Sequence, residues 1–175
     1  MRLVLGGQPF GIAIRLPRRS RLSPAYMAHL AQRLRGAIEI LRAHDLRIGD
    51  RGRLIQSARL LDRCALRDRF PNQEDARRRV SNAISTAYEI VQITDYLPPE
   101  LSLELREDLR RAVGGSLDSG HADAAIRSQT QLHMGAIVAS AGLVTSIPSI
   151  TKGSVPDFVV EVDGLGMAIE IQRTE

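Results

Sequence analysis

Three polar side chains near the end of the chain have the types and spacing for phosphodiester chemistry. They lie in "VPDFVVEVDGLGMAIEIQR", residues 155–173: Asp157 after a proline, then Glu170 and Gln172 in a Glu-x-Gln triplet. Strand alternation puts Asp157 and Val159 on one face of the first strand, and Ala168, Glu170 and Gln172 on one face of the second. If the two strands pair through "DGLG", Asp157 and Glu170 stand side by side. Two carboxylates so placed are oxygen ligands for a hard cation such as Mg²⁺ or Mn²⁺. A cation held there lowers the pKa of a bound water and neutralises phosphate charge.

The order of elements around these residues is a helix, a glycine, a strand, a Gly-containing turn, a Pro-Asp strand, a tight turn and a Glu-x-Gln strand. It resembles the PD-(D/E)xK nuclease superfamily, the restriction-endonuclease-like fold, over roughly residues 123–173. The resemblance implies a Mg²⁺-dependent nuclease acting on DNA, or a degenerate relative that binds nucleic acid. It makes Asp157 and Glu170 the metal ligands and places Gln172 in the lysine position, where the attacking water is oriented. The chain departs from the family in that glutamine. It also lacks an acid in the preceding helix, where "RSQTQLHMGA" offers Gln129, Gln131 and His133. The family core continues with a further helix and strand after the Glu-x-Lys position. By that resemblance those pieces are either truncated from the sequence, supplied by a homodimer or partner chain completing the sheet, or replaced at the sheet edge by the N-terminal strands 3–5 and 11–16; Lys152 in the preceding turn is a candidate substitute cation.

The rest of the chain bounds the partners. Residues 1–70 hold fifteen arginines and five acids, a balance of +10, whereas residues 71–175 come to −6; the whole chain is +4. A basic first half suits a polyanion, most simply nucleic acid. The candidate phosphate contacts are Arg18, Arg19 and Arg21 in the loop "PRRSR", and Arg59, Arg63 and Arg67, four residues apart on one helix stripe. The competing reading of that stripe is a solvated face partly neutralised by Asp62 and Asp68. Lys152 joins the cationic candidates. No run of apolar residues is long enough for a bilayer, and the arginine cluster follows the first apolar stretch, opposite to a signal peptide, so a soluble cytoplasmic protein is expected. One cysteine, Cys64, excludes an internal disulfide framework and a Cys-rich zinc site.

These side chains need a scaffold. Hydrophobic residues make up 43% and aromatics 3%, with no Trp, so the core is built from Leu, Ile, Val and Ala. Two short strands, "RLVL" and "GIAIRL", open the chain. Ser23-Pro24 then starts a helix whose apolar residues, Met27, Leu30, Leu34, Ile38 and Leu41, recur at three- and four-residue steps. Further helices are expected over about 51–69, 72–96, 103–113 and 122–141, the last stopped by Gly142. "LVTSIPSI", "VPDFVVEV" and "GMAIEIQ" read as three strands. The expected class is α+β: an N-terminal helical bundle followed by a helix and a three-stranded antiparallel, nuclease-like hairpin unit. The divisions are 1–23 (strands and basic loop), 24–115 (helical bundle) and 121–175 (the αβββ unit).

Two other readings stay open. One is a non-catalytic helical protein–protein interaction module with a structural hairpin. The other rests on Arg127 and His133, an Arg-x5-His pair that resembles the metal-independent ribonuclease signature of the HEPN helical family, with the histidine as acid or base at a ribose 2′-hydroxyl.

Overall fold

The computed structural model describes residues 2–5, 8–11, 23–67, 73–115, 124–142, 144, 146–147, 158–162 and 165–169, the two hairpins by their backbone alone. Five helices form the body: α1 (Pro24–Ala43), α2 (Arg53–Arg67), α3 (Glu74–Asp95), α4 (Leu103–Ala112) and α5 (Ala124–Ser140).

The ends of these helices follow from local chemistry. Ser23 caps α1, its hydroxyl accepting the Tyr26 N–H at 3.1 Å, with Pro24 at the first helical position. At the other end Asp45 adopts φ 60°, its N–H bonds to the Arg42 carbonyl, and the Leu46 N–H reaches back to the Leu41 carbonyl. This is a Schellman closure with aspartate where glycine is usual, and the buried Leu46 supplies its apolar contact. Ser102 caps α4 through the Leu105 N–H at 3.2 Å. Gly142, at φ +77°, ends α5 as its position in the sequence predicts.

The helices share one core. α1 packs on α2 and α3, α2 on α3, and α5 on both α3 and α4, so α3 is the central element. Leu34, Ile38, Leu41, Leu54, Leu61, Ile90, Ile93, Leu109 and Leu132 are fully buried. Each contributes about 1.5–3 kcal/mol by leaving water.

The expected α+β class with a three-stranded unit is not what forms; the fold is helical. α5 belongs to the bundle, with Leu132 and Ala136 in the same core cluster as α1–α4. The segment "LVTSIPSI" contributes no strand among its described residues. Ile147 is buried in the helical core instead, and its N–H bonds to the Tyr96 carbonyl just after α3. Ile147 answers the demand of the bundle rather than that of a sheet. The strands that do occur form two separate two-stranded hairpins, β1 (Arg2–Leu5) with β2 (Gln8–Gly11), and β3 (Phe158–Val162) with β4 (Leu165–Ile169). β3 and β4 pair antiparallel in the register Phe158↔Ile169 to Val162↔Leu165. No three-stranded sheet is present among the described residues.

Candidate functional site

The proposed metal site falls outside what the structure describes. Asp157, Glu170 and Gln172 lie beyond the described residues, as do Lys152, Arg18, Arg19 and Arg21. Among the described residues, no group of three or more His, Cys, Asp or Glu side chains is placed to hold a metal ion. Arg67 stands in the last turn of α2, and its side chain is likewise outside the description.

Arg59 and Arg63 are described, and both are exposed on α2. Asp62 forms its ion pair with neither of them. Its carboxylate pairs with Arg35 on α1, tying the two helices together. Among the described residues Arg63 is held only by a long bond, 3.4 Å from its Nε to the Arg59 carbonyl. The outer face of α2 thus presents two guanidinium groups with no carboxylate partner among the described residues. α1 handles a second arginine as it does Arg35: Arg33 pairs with Asp95 of α3 at 2.7 Å.

A polar seam that sequence reasoning missed runs between α2, α3, α4 and α5. Arg53, the first residue of α2, is only 3% exposed. Its guanidinium donates to the Gly114 carbonyl (3.1 Å), the Thr86 hydroxyl (3.1 Å), the Ala112 carbonyl (2.5 Å) and Gln129 Oε1 (2.6 Å). The Gln129 amide in turn donates to Glu89 Oε2 at 2.6 Å, relaying the buried cation to a carboxylate. Ala112 and Gly114 lie at the carbonyl-rich end of α4, whose partial negative charge complements a guanidinium.

Beside this relay, His133 on α5 is half-buried. Its Nε2 lies 2.6 Å from Gln92 Oε1, the Gln92 amide donates to the Tyr88 hydroxyl at 3.1 Å, and the Tyr88 ring meets the imidazole edge-on at 5.9 Å. Burial holds the His133 pKa below its ordinary 6.5, against the opposing pull of the Glu89 carboxylate.

The Arg127/His133 pair does not assemble. Six helical residues separate the two Cα directions by about 120° around the axis. Arg127 is exposed, while His133 faces α3. The seam's chemistry is that of an internal hydrogen-bond network linking Arg53, Thr86, Gln129 and Glu89.

No helix among the described residues is long and apolar enough to cross a membrane. Comparison of the chain with protein-family models, with curated proteins and with solved structures finds no match.

Proposed function

We propose that this chain is a nucleic-acid-binding module in which the helical bundle holds a phosphate backbone through exposed arginines. The observation that supports the reading is the diversion of Asp62 to Arg35, which leaves Arg59 and Arg63 available on α2. Asp62, the described acid beside that stripe, is committed to Arg35 on another helix. Arginines of this kind add affinity without reading sequence. The test is fluorescence anisotropy of labelled DNA with the full chain and with Arg59→Ala/Arg63→Ala. The double variant is expected to bind about tenfold more weakly with its fold intact. Equal binding by the two proteins overturns the assignment to α2. A folded chain that binds no nucleic acid overturns the reading in favour of a protein-interaction module.

A second reading, metal-dependent hydrolysis of DNA, is favoured by the β3–β4 register. The last described pair of that ladder, Phe158↔Ile169, is next in sequence to Asp157 and Glu170. This reading requires the ladder to continue one step. Two carboxylates and an amide oxygen fit a hard divalent cation, Mg²⁺ or Mn²⁺, which when bound would supply an activated water and charge neutralisation. Asp157 and Glu170 would hold it and Gln172 would orient the water. Plasmid cleavage that needs the cation and disappears in Asp157→Ala supports this reading. Absence of cleavage by the folded wild-type chain overturns it.

A further inference from the structure

A second cationic feature lies away from the α2 stripe. The turn between α1 and α2 and the C-terminal end of α4 enclose an open cleft of about 900 Å³. Arg42, Arg47 and Arg110 line it, with Asp45 its one acid among the described residues and Leu46 and Val113 among its apolar walls. The three arginines differ in their commitments. Arg42 is engaged, with Nη1 2.8 Å from Glu39 and Nη2 3.4 Å from the Ile48 carbonyl, which braces the turn. Arg47 and Arg110 are exposed and have no ion-pair partner among the described residues. On α4 the neighbouring Arg111 pairs with Glu107 at 3.5 Å and Asp108 at 3.0 Å.

We infer that this cleft is a phosphate-binding site that takes a nucleotide unit of single-stranded nucleic acid. The inference rests on the nucleic-acid reading above and assigns it a specific place. With Arg42 paired to Glu39, Arg47 and Arg110 stand against Asp45 among the described lining residues and leave the concavity net cationic, and the planar fork of arginine suits phosphate oxygens. Its volume is that of a pocket for a small organic group. A duplex is a convex rod that lies across such an opening, whereas a single strand can splay one nucleotide into it. Among the described residues no aromatic side chain lines the cleft to serve as a stacking platform. Recognition is then carried by the phosphate and is indifferent to sequence. Asp45 is the opposing charge. It is fixed there because the Schellman closure of α1 needs a residue that tolerates the left-handed conformation, which Asn also does.

The test uses the full ¹⁵N-labelled chain and a thymidine oligonucleotide of about 12 nucleotides. Amide shifts are followed by NMR and affinity by anisotropy for the wild type, Arg47→Ala/Arg110→Ala and Asp45→Asn. The amides from Leu46 to Gly49 and of Val113 are expected to move. The double variant should bind about tenfold more weakly, with a salt slope shallower by about 1.4 for two lost single-strand contacts. Asp45→Asn should bind a few-fold more tightly. Wild-type binding with those amides unmoved, or undiminished by the double substitution, overturns the cleft assignment and leaves the α2 reading standing. No binding by the folded wild type overturns both.

Discussion

Replacing Arg53 by Met removes the charge and all the donors of one buried guanidinium while keeping most of its aliphatic stem. The structure sets the scale of the damage. Four acceptors lose their partner: the Ala112 and Gly114 carbonyls, the Thr86 hydroxyl and Gln129 Oε1. Gln129 is 2% exposed, so water cannot readily take the vacated place, and Glu89 loses the cation that Gln129 relays. Each bond from a charged donor contributes about 1.5–3 kcal/mol, but bonds within one network are not additive. Breaking a buried charged network by removing one partner costs about 3–5 kcal/mol. One effect opposes this. A cation at the start of α2 faces that helix's own positive end, and its removal returns about 0.5 kcal/mol. The expected loss is therefore about 3 kcal/mol or more, a large share of the 5–15 kcal/mol typical of a domain. Urea unfolding followed by circular dichroism measures it. Arg53→Lys, which keeps the charge but not the fork, should lose roughly half as much. A loss under about 1 kcal/mol for Arg53→Met, at unchanged m-value, refutes the view that this arginine holds α2, α4 and α5 together.

Other consequences are simpler. Because burial lowers the His133 pKa in the folded chain, the unfolded chain binds more protons below pH 6.5. Stability is therefore present above 6.5 and falls as pH drops toward the folded value. His133→Gln should flatten that part of the stability–pH curve, as measured by urea unfolding in buffers on either side of 6.5. Leu61→Ala, at a fully buried position, should cost about 2–5 kcal/mol. Leu66→Ala, five residues on at a site 86% exposed, should cost about 0.5 kcal/mol or less. Ser23→Ala should cost about 1 kcal/mol by leaving the Tyr26 N–H without its cap.

Much of the bundle is legible in the sequence because its signals are local. Ser23-Pro24 begins α1, the three- and four-residue spacing from Met27 to Leu41 selects its buried face, and Gly142 ends α5. What escapes sequence reasoning depends on the neighbours a segment meets. "LVTSIPSI" has the β-branched, apolar character of a strand, yet Ile147 fills the helical core. Leu66 continues the apolar pattern of α2 but projects past the end of its packing surface. Arg53 sits in an arginine-rich turn and looks like its solvated neighbours. Nothing in its own vicinity indicates that Thr86, Ala112 and Gln129 close around it from three other helices. The same holds for the committed Asp62. Its pairing with Arg35, 27 positions away, is invisible in the sequence and draws it away from Arg59 and Arg63.

The most direct test of the central claim is the salt dependence of DNA binding by the unmodified chain, measured by anisotropy between about 50 and 200 mM salt. Phosphate contacts by arginine predict binding that weakens linearly on a log–log scale, with a slope near −0.9 for each contact on duplex and about −0.7 on a single strand. Binding that is absent at the lowest salt, or present and insensitive to salt, contradicts the account.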